Sequence, residues 1–147
     1  MSIVPVDSAN LGEAARVLSA SWQESHRGFC SEQFISLRTP ENRAEYLKNK
    51  FDNGSRAFIL REEAPCAVVC VTGDLIEDLY VLPEKQGQGF GTKLLRFAMG
   101  KCFGAPRLTV LENNHKAIRL YERAGFRQTG RRSEAGRIAE IEYRFEG

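Results

Sequence analysis

Residues 79–95, Leu-Tyr-Val-Leu-Pro-Glu-Lys-Gln-Gly-Gln-Gly-Phe-Gly-Thr-Lys-Leu-Leu, constrain this chain more than any other stretch. An apolar strand runs into a glycine-rich turn, and the turn opens an amphipathic helix. Phe90, Leu94, Leu95, Ala98, Met99 and Cys102 recur at helical spacing on one face. Gly87, Gly89 and Gly91 remove side chains from the turn, so backbone N–H groups can approach an anion. The helix N-terminus adds a favourable dipole, and strand, turn and helix together suit a phosphate. Without a ligand, the same glycines would make a tight strand-to-helix corner.

Two common phosphate designs do not fit. A Walker loop needs Gly-Lys-Ser/Thr after a glycine and four residues, whereas Gly91-Thr92-Lys93 reverses that order. The dinucleotide fingerprint G-x-G-x-x-G needs one more residue before its third glycine than Gly87-Gln88-Gly89-Phe90-Gly91 provides. That motif also follows the first strand of its unit, and this turn lies far along the chain. A nucleotide-binding protein using the turn for ATP phosphates is a minor rival reading.

A second segment narrows the choice. Residues 114–126, Asn-His-Lys-Ala-Ile-Arg-Leu-Tyr-Glu-Arg-Ala-Gly-Phe, follow the apolar run 108–111. Asn114 is a good helix N-cap, and Gly125 suits the position after a helix C-terminus. Ala117, Leu120, Tyr121 and Ala124 share one face, with Lys116, Arg119, Glu122 and Arg123 opposite.

Gln86-x-x-Gly89-x-Gly91 resembles the Gln/Arg-x-x-Gly-x-Gly/Ala signature of the GCN5-related N-acetyltransferases (GNAT). Residues 114–126 resemble the family's second signature, Asn-x-x-Ala-x-x-Leu-Tyr-x-x-x-Gly-Phe, at every fixed position. The likeness is close over residues 75–127 and loose elsewhere. It implies an α/β protein of the α+β type, with the acyl-CoA N-acyltransferase fold. That fold is a mixed, largely antiparallel sheet with helices on both faces, and its two central strands splay around the pantetheine arm.

The 147 residues suit one domain, 1–147, with one core. A net charge of +2 and the absence of a basic block give no sign of a nucleic-acid partner. No apolar run approaches the length of a membrane span, and no signal peptide is evident. Cys30, Cys66, Cys70 and Cys102 form no C-x-x-C pair, and the two histidines lack ligand spacing, so no metal site is expected. Cys66 and Cys70, four apart in a strand, are expected on the same side. Reduced cysteines make the cytoplasm the default compartment.

The order reads as β-α-α-β-β-β-α-β-α-β-β. Strands are expected at 3–6, 57–61, 66–72, 75–82, 107–111, 126–131 and 137–145. Leu11, Ala14, Ala15, Leu18 and Trp22 mark the first helix, with Asn10 and Glu13 as a capping pair. A short helix is expected over 32–37. Thr39-Pro40-Glu41 starts another helix, with Ala44, Leu47 and Phe51 on its apolar face.

The resemblance implies acetyl-CoA as co-substrate, held by Gln86, Gly87, Gln88, Gly89, Phe90, Gly91, Thr92 and Asn114. Asn114 would cap its helix as well. Lys85 or Lys93 would add screened charge or stay a surface residue. The pantetheine and acetyl group would lie along Leu79, Tyr80 and Val81, mostly against backbone. Tyr121 is the candidate general acid, protonating the departing sulfur; otherwise it is an aromatic core residue.

No glutamate stands at the two positions where relatives carry their base, which are Thr109 and Leu75 here. Glu77 shares strand parity with Leu79 and Val81, which makes it the candidate base or else a solvated or paired strand carboxylate. Asp74, Asp78, Glu112, Glu24 and a water-only route stay open. The acceptor would be a primary amine of a small molecule, polyamine or peptide. Trp22, Glu24, His26, Arg27 and Phe29 are the candidate acceptor site. The alternative is a non-catalytic module of the same fold that binds a CoA ester and regulates a partner. Homodimers are common in the family.

Overall fold

A computed structural model describes residues 1–147. One seven-stranded sheet carries the order β1-β2-β3-β4-β5-β7-β6. Its strands are β1 (Ser2–Pro5), β2 (Arg56–Arg61), β3 (Pro65–Thr72), β4 (Leu75–Val81), β5 (Arg107–Leu111), β6 (Phe126–Ser133) and β7 (Glu140–Phe145). All pairings are antiparallel except β4 with β5. The helices are α1 (Leu11–His26), α2 (Glu32–Ser36), α3 (Pro40–Asp52), α4 (Phe90–Met99) and α5 (His115–Arg123). No helix is long and apolar enough to cross a membrane.

The sheet separates two cores. On one face Ala14, Val17 and Leu18 of α1 and Leu47 of α3 pack on Ile59, Val68 and Cys70. On the other, Phe90, Leu94, Leu95 and Ala98 of α4 join Tyr121, Val69, Val71 and Phe126. The central strands read as near-continuous apolar runs because both their faces are covered. Thr39 caps α3 by accepting from the Asn42 N–H at 3.1 Å, with Pro40 in the first turn.

The sequence reading fails in three local places. Asn10 precedes α1 without a side-chain cap bond. Its Oδ1 accepts from the Asp7 N–H at 2.8 Å, and Glu13 pairs with Arg61 instead. Cys66 and Cys70 fall in opposite cores. Leu60 opposes Ala67 and Arg61 opposes Pro65, so Cys66 is an extra, bulged residue that breaks the two-residue period. Beside the expected apolar face of Ala44, Leu47 and Phe51, α3 also buries Arg43, which the sequence reading did not single out.

A second bulge matters more. Val68 opposes Tyr80 and Cys70 opposes Glu77, so Asp78 and Leu79 share the one partner Val69. Asp78 has φ +55°, in the left-handed region, the sole non-glycine residue with positive φ.

Candidate active site

β4 and β5 pair only through Leu75–Arg107 and Ile76–Leu108. Beyond those residues the strands part, and the bulge at Asp78 lies where they do. Leu82 N–H bonds to Cys66 O on β3 at 2.9 Å, so alternation turns the polar groups of Val81 to the β5 side. There Val81 O accepts from Gln86 Nε2 at 3.1 Å. The splayed centre is thus present, with a β4 edge open to the gap.

The glycine turn closes one end of that gap. Gly87 and Gly89 both have left-handed backbones, with φ +79° and +86°. A Cβ on either would meet no atom within 4 Å, so their role is conformational and the space above them is open. Gly89 stands at the N-cap of α4 with no side-chain bond, and no acid sits in the first turn. Lys93 N–H makes an early helical bond, to Gly89 O at 3.1 Å. The N–H groups of Phe90, Gly91 and Thr92 therefore point out of the helix end beside a positive dipole. Gly91 does a different job: its Cβ position lies 3.5 Å from Leu120 and 3.7 Å from Val81, where α4 meets α5 and β4. Gln86 is structural as well, since Lys116 Nζ donates to its Oε1 at 3.2 Å.

On α5, Tyr121 packs its ring 6.1 Å from Phe126 in the α4-side core and is 8% exposed. Burial pushes its hydroxyl pKa up to about 12, and no hydrogen bond offsets that. Asn114 caps α5, its Oδ1 accepting from the Ala117 N–H at 3.2 Å.

The bulge corrects the parity argument for Glu77. Glu77 opposes Cys70 and faces α1 and α3, whereas Leu79 and Val81 belong to the core on the α4 side. Glu77 accepts from Lys50 at 2.9 Å and from Thr72 at 3.2 Å. Asp78 accepts from the Tyr46 hydroxyl at 2.7 Å, with Lys50 at 3.8 Å. Burial raises the Asp78 carboxyl pKa, and Tyr46 and Lys50 partly counter it. Burial and the Asp78 charge push Tyr46 up strongly, so it donates and does not ionise. Burial also raises Tyr80, whose side chain packs on the α1 side.

The expected acceptor residues divide. Trp22 and His26 stack at 3.8 Å, His26 lies 5.3 Å from Phe29, and burial lowers the His26 pKa. His26 Nδ1 is bound to Trp22 O at 2.8 Å and to Ser25 Oγ at 2.9 Å. Glu24 and Arg27 leave the cluster, pairing with each other at 2.6 Å on the exposed side of α1. Phe29 borders an open groove of about 540 Å³ shared with Arg137 and Ile138 of the β6–β7 connection.

Residues 53–128 match the family model described as "Acetyltransferase (GNAT) domain". The chain belongs to the GNAT family. Over 54 residues it is 43% identical to the mouse thialysine N-epsilon-acetyltransferase, covering 34% of this chain and 32% of that protein. Over 72 residues it is 35% identical to a peptidyl-lysine N-acetyltransferase of Salmonella typhimurium, covering 48% of each. The chain thus spans less than half the length of these curated relatives. Among solved structures, a putative acetyltransferase of Salmonella typhimurium with its cofactor acetyl-CoA superposes at TM-score 0.73 and 18% identity. That superposition covers 99% of this chain and 93% of the other. The GNAT fold expected from the two signatures is the one observed.

Sequence reasoning missed Arg38, Arg43, Tyr46 and Lys50. Their signal was Arg43, Tyr46 and Lys50 at i, i+3 and i+7, a polar stripe along one side of α3.

Proposed function

We propose that this protein is an N-acetyltransferase that moves the acetyl group of acetyl-CoA directly to a primary amine. The observation that carries the reading is the opening between β4 and β5. One end has an uncapped helix N-terminus, and the other has the bulged strand with the Asp78 carboxylate.

Bound acetyl-CoA supplies an activated thioester. In this reading the N–H groups of Phe90, Gly91 and Thr92 hold its pyrophosphate over the open backbone of Gly87 and Gly89. Gln86 and Asn114 keep the turn and α5 in place, and the gap-facing edge of Leu79 and Val81 holds the pantetheine arm. Asp78, raised by burial, takes the proton of the acceptor ammonium. The Leu79 N–H faces an oxygen that gains charge as the amine adds. Tyr121 keeps its proton at neutral pH and donates it to the departing sulfur. Glu77 passes from candidate base to positioning residue, because it fixes Lys50 beside Asp78. The four free cysteines suit a reducing compartment such as the cytoplasm.

A screen of amines, polyamines, amino acids and peptides, followed by release of the CoA thiol, tests the proposal. Tight acetyl-CoA binding with no thiol release for any acceptor would instead favour a regulatory CoA-ester-binding module.

A further inference from the structure

Arg38 and Arg43 have no part in the chemistry above. Arg38 lies in the short connection between α2 and α3, its guanidinium 4.9 Å from the Trp22 ring centre and 4.6 Å from that of Phe34. Arg43 lies over Tyr46 at 4.4 Å and is only 8% exposed. Its Nε and Nη2 both donate to Asn42 Oδ1, at 3.0 and 2.7 Å. None of the protein's ion pairs includes either arginine. The nearby acids are engaged elsewhere: Asp78 and Glu77 with Tyr46 and Lys50, Glu24 and Glu32 with Arg27.

A buried cation without a counter-ion is costly, and a second cation beside it adds repulsion. Both effects are visible at Arg43, whose pKa is lowered first by burial and then by the charge of Arg38. Arg43 keeps Nη1 free, and Arg38 has its whole fork free, a geometry that matches a planar carboxylate.

We propose that Arg38 and Arg43 recognise a carboxylate on the acceptor, so the acceptor is an amino acid or a similar amine-bearing carboxylate and not a polyamine. This rests on reading the Asp78 site as the acceptor site. Tyr46 sets the spacing: its ring face carries Arg43, and its hydroxyl holds Asp78 at 2.7 Å. An acceptor whose ammonium meets Asp78 places its carboxylate one tyrosine away, at the arginines. Trp22 and Phe34 hold the Arg38 guanidinium over their rings. A polyamine would bring a second positive charge against two guanidiniums.

The compounds 6-aminohexanoate and n-hexylamine share chain and amine and differ in the carboxylate. Calorimetric titration of each into the protein, with and without CoA, reads the anion site apart from turnover. The carboxylate should tighten binding by roughly tenfold to a hundredfold, the worth of a charge-assisted hydrogen bond. The gap should close in Arg43→Gln, shrink in Arg38→Gln and return in part in Arg43→Lys. Arg38→Gln serves where Arg43→Gln does not fold, and the ratio of two ligands on one sample cancels a shared loss of fold. Equal affinities in the wild type, no binding of either ligand, or a gap that persists in both glutamine variants would overturn the proposal. Acetylation of hexylamine with no gap would sink this proposal alone. A gap with no acetylation of either compound would uphold the anion site, and the acceptor screen would then decide the acetyl-transfer reading.

Discussion

Tyr121 has its ring fixed in the core beside Phe126, and its hydroxyl is the proposed acid. Tyr121→Phe removes one oxygen and little packing, so fold and acetyl-CoA affinity should persist. Single-turnover rates should fall roughly tenfold to a thousandfold, within or just below the range of positioned acid catalysis. An unchanged rate would remove Tyr121 from the mechanism. Asp78 carries a different signature. Its folded pKa lies above the unfolded value, so stability is lost as the pH rises from the unfolded pKa through the folded one. Asp78→Asn should therefore raise Tm at neutral pH. That difference should vanish below the unfolded carboxyl pKa of about 3.9. The same variant should lose kcat/KM by about a hundredfold at pH 7 and recover in part toward pH 9–10, as solvent deprotonates more amine. Glu77→Gln should lower Tm by loosening Lys50, and its pH–rate profile should shift from that of the wild type, because Lys50 and the Glu77 charge both act on Asp78; a superimposable profile would leave Glu77 a purely structural residue.

At the scale of elements, the three glycines around the α4 N-terminus separate into two kinds. Gly89 has φ +86° and open space, so Gly89→Ala should cost about 1–2 kcal/mol in backbone strain alone. Gly89→Val should also weaken acetyl-CoA binding, which calorimetry on the folded variant would read. Gly91 lies inside the helix with ordinary contact distances, so Gly91→Ala should stabilise by about 0.5–1 kcal/mol in urea unfolding. The turn and α5 were legible because their chemistry is local: glycines, a cap and a helical stripe within a few residues of each other. Glu77 was misread because its facing depends on register with β3. One extra residue at Asp78 reverses every side chain before it, and nothing in the composition of Leu-Ile-Glu-Asp-Leu announces that residue. Cys66 was misplaced for the same reason. The acceptor-side residues of α3 were missed because a polar stripe is ordinarily a solvated face. Only the packing of α3 between α1 and β4 buries Arg43.

In the whole molecule, the sheet is continuous in strand order, yet only two residue pairs join β4 to β5. The first four strands are antiparallel neighbours in sequence, and the other three form a separate antiparallel set, joined to them by those two pairs, the Arg107–Asp74 contacts and the shared core. A pantetheine arm in the gap would act as a missing strand, binding both halves at once. Saturation at about 100 Kd would then stabilise the protein by about 2.7 kcal/mol against unfolding. Its footprint should appear as slowed amide deuterium uptake at Leu79 and Val81, which without it face an unpaired edge. Their β3-bonded neighbour Leu82 should change far less, since its N–H is already held by Cys66.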